Sequence, residues 1–87
     1  MKCIGVNCFR SKKGIPTMIL HCVSPMRLRT DGTNKGESVE TLFVPLTMSE
    51  EILGVPANNV KIDDYCGHEI NAFFNRSGFV ERVEVVN

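Results

Sequence analysis

The chain has 87 residues, with ten basic and ten acidic side chains, four cysteines, five phenylalanines, one tyrosine and no tryptophan. That length holds one domain with a small core, and 43% apolar with 23% charged residues is a globular rather than a disordered or fibrous composition. Zero net charge excludes a histone-like polycation, yet residues 1–36 carry seven bases against Asp31 and residues 37–87 carry nine acids against Lys61, Arg76 and Arg82, a segregation that hints at a polyanion-binding face.

Residues 2–9 read as a strand, with Ile4, Val6 and Cys8 alternating on one face. Ser11-Lys12-Lys13-Gly14 is a turn, and residues 17–24 return with Met18, Leu20 and Cys22 alternating against Thr17, Ile19, His21 and Val23. Together they predict a β-hairpin with a basic tip, ending at Ser24-Pro25 because proline cannot donate to a ladder. Residues 25–37 form a long polar loop with Arg27, Arg29 and Lys35; loops of this length in small domains are usually functional or mobile. Residues 38–46 are a third strand, with Leu42, Val44 and Leu46 on one face and Pro45 placing its end at a sheet edge or bulge.

Residues 47–54 predict one short helical turn. Thr47 or Ser49 can cap its first amides, Glu50 and Glu51 suit the positive end of its dipole, and Gly54 stops it. Residues 55–59 are a turn and residues 60–65 a short strand or extended segment. Residues 68–75 are a strand with Ile70, Ala72 and Phe74 inward, Asn75-Arg76-Ser77-Gly78 a second hairpin turn, and residues 79–86 the final strand. Strict alternation puts Glu81 on the face of Val83 and Val85, a conflict that a β-bulge near Glu81 or Arg82 removes.

Five short antiparallel strands, with one helical turn between strands three and four, predict an all-β fold. The expectation is a small five-stranded antiparallel barrel of the oligonucleotide-binding (OB-fold-like) kind over residues 1–87, an SH3-like barrel being the rival. Apolar runs such as Ala72-Phe73-Phe74 fall far short of the roughly 20 residues a membrane span needs. Residues 1–7 lack the apolar core of a secretory signal, so a cytoplasmic location with the cysteines as thiols is expected.

Candidate chemistry is sparse. On one strand Cys3 and Cys8 point to opposite faces, and His21 and Cys22 diverge likewise. Cys66 and His68 alone can share a face, and two ligands do not make a zinc site, so neither metal nor cofactor is expected. Cys8 and Cys22 read as small core residues and His21 as a sheet-surface histidine. Four of the ten carboxylates lie in neighbouring pairs, Glu50-Glu51 and Asp63-Asp64, as on a solvated surface, and there is no phosphate-binding glycine loop. A Cys66–His68 nucleophile would need a walled pocket for which a barrel this short has little room, so an enzyme is not expected.

The basic residues are more informative. Arg10, Lys12 and Lys13 lie at the first hairpin tip, while Arg27, Arg29 and Lys35 lie in the next loop, which starts from the opposite end of strand two. Basic surfaces interleaved with aromatic rings bind single-stranded nucleic acid, the bases stacking on the rings. Candidate platforms are Phe9, Phe43, Tyr65, Phe73 and Phe79. Phe9 and Phe73 oppose their strands' more apolar faces and are expected outside; Phe74 is expected in the core.

The basic turn ending in Gly14-Ile15-Pro16, the strand Glu40-Thr41-Leu42-Phe43-Val44-Pro45-Leu46-Thr47, the terminal Glu81-Arg82-Val83-Glu84-Val85-Val86 and the overall length carry a resemblance. The chain resembles the small single-stranded-DNA-binding proteins of filamentous phages (the gene-five type) and related short proteins of phages and mobile elements. This resemblance implies an oligonucleotide-binding barrel, a homodimer, and cooperative coating of single-stranded DNA with little sequence preference. By position, Lys12 stands for a basic residue of the DNA-binding hairpin and Arg82 for one on the last strand. The chain departs from the pattern at Thr17, where a stacking aromatic belongs, and at Glu84, where a second base belongs. Arg10, Lys12, Lys13, Arg27, Arg29 and Arg82 are thus the expected phosphate contacts, with Phe9 and Phe73 as platforms. The alternative is an SH3-like protein-interaction module in which the oppositely charged halves meet across subunits.

Overall fold

A computed structural model describes residues 1–25 and 31–86. The alternating first half builds a three-stranded antiparallel sheet from β1 (Lys2–Arg10), β2 (Pro16–Pro25) and β3 (Glu37–Pro45), with β2 in the middle. The β2–β3 register runs without interruption from Thr17 opposite Pro45 to Pro25 opposite Glu37, so Pro45 sits on an edge strand, where its missing N–H costs no ladder bond. Helical turns follow at Leu46–Met48, α1 (Ser49–Ile52), Ala57–Asn59 and Ile62–Asp64. The chain ends in a hairpin of β4 (Ile70–Phe74) and β5 (Val80–Val85).

The core lies between the two sheets. Met18, Leu20 and Cys22 of β2 and Leu42 and Val44 of β3 meet Ile70 and Val83 of the second sheet, with Ile52 and Tyr65 closing the sides. On β1 the alternation is broken. Cys3 pairs with Cys22 and Gly5 with His21, leaving Ile4 as an extra, bulged residue. The bulge turns Cys3 inward to full burial and leaves Ile4 exposed, and Cys8, farther out along β1, is exposed rather than in the core. The anticipated bulge of the last strand is present: Phe73 pairs with Arg82 and Phe74 with Val80, so Glu81 is the extra residue.

The five strands do not close into a barrel. They form sheets of three and two strands, joined among the described residues by one isolated bridge between Lys2 and Glu69 and by a few backbone bonds, among them Cys3 N–H to the His68 carbonyl at 2.9 Å and Gly67 N–H to the Cys3 carbonyl at 2.8 Å. The physical reason lies in the second sheet, whose strands β4 and β5 are only five and six residues long. Residues 60–65, expected as a short strand or extended segment, instead contain a 3₁₀ turn. The radius of gyration, 14.3 Å, exceeds the roughly 12 Å of a compact chain of this length, as suits long strands that do not curl shut.

The 3₁₀ turn also carries Tyr65 into the core, where it is 6% exposed and cannot serve as a stacking platform. Phe74 lies beyond the β5 bulge, at the frayed end of a short ladder, and is exposed rather than buried. The helical turn appears where expected and stops at Gly54, whose φ of 78° is left-handed and whose N–H reaches the Ser49 carbonyl. It has no side-chain cap. Met48 holds the N-cap position, and Ser49 is buried one residue further in.

Burial divides the thiols. Desolvation pushes Cys22 up to about 12 and raises Cys3 above its ordinary value, whereas Cys8 and Cys66 are exposed. Because the thiolate is the nucleophile, a thiol reagent at pH 8 should label two cysteines rapidly in the folded protein and the other two only as it unfolds. Peptide mapping that finds Cys3 or Cys22 among the fast pair would contradict this packing.

Candidate nucleic-acid interface

The first hairpin turn is built by hydrogen bonds. Ser11 N–H donates to the Ile15 carbonyl at 2.9 Å, Gly14 N–H donates to the Ser11 carbonyl at 2.8 Å, and Ile15 N–H donates to Ser11 Oγ at 3.2 Å. Gly14 takes a φ of 78°, which a side chain would strain, and so lets the strands close over three loop residues. Lys12 and Lys13 stand exposed on this rigid turn. Arg10 is anchored beside it, its Nη1 donating to the Gly14 carbonyl at 3.2 Å.

One ladder step inside the tip, Phe9 faces Thr17 across the strands, and Thr17 faces Pro45 on β3. These residues border an open groove of about 570 Å³ that Phe43, Met48 and Phe79 also line. The rings are unusually bare: Phe79 is 70% exposed, Phe43 56% and Phe9 41%. Among the described residues no charged side chain lines the groove. Its polar groups already serve the fold, for Thr17 Oγ1 donates to the Ile15 carbonyl at 3.3 Å and Asn75 Oδ1 accepts from the backbone N–H groups of Ser77 and Phe79.

A larger cavity of about 700 Å³ lies between α1 and β5, bordered by Glu50, Glu51, Glu84 and Arg82. Three carboxylates against one guanidinium give it the wrong sign for a polyanion, so size does not decide which cavity matters here. Arg82 is moreover ion-paired with Glu84 on the same strand, so the expected phosphate contact at Arg82 is partly neutralised. Phe73 is Arg82's cross-strand partner and 48% exposed, but neither residue lines the aromatic groove.

The expected residues thus separate into groups. Phe9, Arg10, Lys12 and Lys13 gather at one end of the first sheet, and Phe43 and Phe79, recognised as candidate platforms, join them from β3 and the last hairpin. Arg27 and Arg29 lie outside the described residues. Lys35 is exposed in a segment that enters β3 at Glu37, opposite Pro25, which is the end of β2 remote from the tip. His21 lies on the outer sheet face, its Nε2 2.6 Å from Asn7 Oδ1. Cys66 is exposed and His68 half-buried, and the described residues hold no group of three metal-ligating side chains. No described helix is long and apolar enough to cross a membrane.

Sequence reading passed over Met48 and Arg76. Met48 carries no signal, because its place in the groove depends on the helical turn after β3. Arg76 carries one, as the basic residue of a glycine-closed turn. Comparison with protein-family models, curated proteins and solved structures finds no match for this chain.

Proposed function

We propose that the chain binds single-stranded DNA with little sequence preference, the bases stacking on Phe9, Phe43 and Phe79 and the phosphates meeting Arg10, Lys12 and Lys13. The observation that carries this reading is the meeting of three exposed phenylalanine rings in one groove beside a rigid basic turn. Each ring offers a flat apolar surface to any base, and stacking contributes about 1–3 kcal/mol per base. Low sequence preference follows from the groove's chemistry, since the Thr17 hydroxyl and the Asn75 carbonyl oxygen are already engaged with backbone and few groups remain to read a base edge. The tip supplies the salt-sensitive attraction that net composition conceals. A homodimer, implied by the family resemblance, belongs to this proposal.

A second reading, a protein-interaction module, draws on the same apolar groove and on the acidic cleft between α1 and β5, which together suit a partner with exposed apolar and basic side chains. Fluorescence anisotropy with labelled oligo-dT, oligo-dA and duplex DNA separates the two. Binding to both single strands in preference to duplex, weakened by salt and by the double change Lys12→Ala and Lys13→Ala, is the expected result. Absence of binding to all three at low salt would overturn the nucleic-acid reading and leave the protein partner.

A further inference from the structure

The last hairpin turn repeats three bonds of the first and adds one, from Ser77 N–H to Asn75 Oδ1 at 2.9 Å. Asn75 N–H donates to the Phe79 carbonyl at 2.9 Å, as Ser11 N–H donates to Ile15; Gly78 N–H donates to the Asn75 carbonyl at 3.0 Å, as Gly14 N–H donates to Ser11. The opening side chain plays the same part in both. Asn75 Oδ1 accepts from Phe79 N–H at 3.0 Å where Ser11 Oγ accepts from Ile15 N–H at 3.2 Å. The closing glycines match as well, with φ of 84° at Gly78 and 78° at Gly14. Superposed by these bonds, Ser11-Lys12-Lys13-Gly14-Ile15 corresponds to Asn75-Arg76-Ser77-Gly78-Phe79, and Arg76 occupies the place of Lys12.

The two turns also share the groove. Phe9 and Thr17 approach it from the first hairpin, and Asn75 and Phe79, the closing pair of the second turn, line it directly. Arg76 is exposed, and no ion pair among the described residues involves it, in contrast to Arg82. A cation without a carboxylate partner, held on a preorganised turn beside an aromatic groove, is placed to meet the backbone of whatever strand stacks there.

We propose that Arg76 is a second phosphate-binding residue, so that a single strand lying in the groove is held by matched basic turns from both hairpins. This rests on the single-strand reading above and adds to it a residue in the acidic half of the chain. The test compares wild type, Arg76→Ala, Arg76→Lys and Lys12→Ala by anisotropy with labelled oligo-dT over a salt series. Loss of one phosphate contact should lower the slope of log K against log salt by about 0.7, so that the affinity ratio between 50 and 200 mM salt shrinks by about 2.6-fold. Arg76→Ala should show that reduction, Arg76→Lys should keep the wild-type slope, and the double Lys12→Ala, Arg76→Ala variant should lose about 1.4. If Lys12→Ala lowers the slope and Arg76→Ala does not, the second contact is overturned while the single-strand reading stands. If wild type binds no oligonucleotide, both fall. Circular dichroism of each variant excludes misfolding as the cause, since the substituted side chains are exposed and make no bonds within either turn.

Discussion

Phe43→Ala is expected to weaken binding to oligo-dT by roughly 5- to 150-fold, the equivalent of about 1–3 kcal/mol for one stacked base. Phe43 stands on the outer face of an edge strand and is 56% exposed, so it contributes little to the core and its loss should leave the thermal midpoint nearly unchanged. The separation of the two readouts is the point of the substitution. Salt dependence should also stay as in wild type, because no phosphate contact is removed. Phe73→Ala is the matched control: the ring is 48% exposed but outside the groove, and the affinity should hold. Equal losses from both substitutions would mean that the groove is not where bases stack.

The largest effect on stability is expected from Leu20→Ala. Leu20 lies at the centre of the middle strand, opposite Val6 on one side and Leu42 on the other, with no exposed surface. Removing its branched end costs the transfer free energy of the lost carbons plus that of the remaining cavity, together about 2–5 kcal/mol. A domain of this size is stable by only some 4–13 kcal/mol, so up to half or more of the margin is at stake. Urea denaturation should show a large fall in midpoint with little change in slope, whereas Val39→Ala, at a position 71% exposed, should stay within about 0.5 kcal/mol of wild type. A Leu20→Ala cost below 1 kcal/mol would be incompatible with the packing described.

The local grammar of the chain was readable and its closure was not. Alternation and turn residues located all five strands, the short helical turn ending at Gly54, and the bulge at Glu81, because each rests on residues adjacent in sequence. The bulge at Ile4 left no such trace: Ile4, Val6 and Cys8 form a consistent apolar stripe, and only the pairing of Cys3 with Cys22 reverses it. Barrel closure failed as an expectation although all five strands formed, because they pair only as three and two and β4 and β5 are too short to complete a ring; separately, a 3₁₀ turn prevailed within residues 60–65 and took Tyr65 with it. At the candidate site the basic tip and Phe9 could be seen in the sequence, but their meeting with Phe79 and Arg76 is a property of how the last hairpin packs. Alternation also misjudged Phe74, since a residue on the inward face is buried only where the opposite sheet reaches it.

The two sheets are bonded where the start of β1 meets residues 67–70, and the aromatic groove takes walls from both, Phe9 and Phe43 from one sheet and Phe79 and Val80 from the other. On the proposed reading, a single strand lodged there would act as a clasp. Its contacts would bridge halves that share few backbone bonds of their own, so part of the free energy of binding would appear as resistance to their separation. By mass action the gain reaches about 2.7 kcal/mol at a ligand concentration one hundred times the dissociation constant. An open pair of sheets, a weakness in the free chain, would under that proposal be cross-braced by the ligand itself.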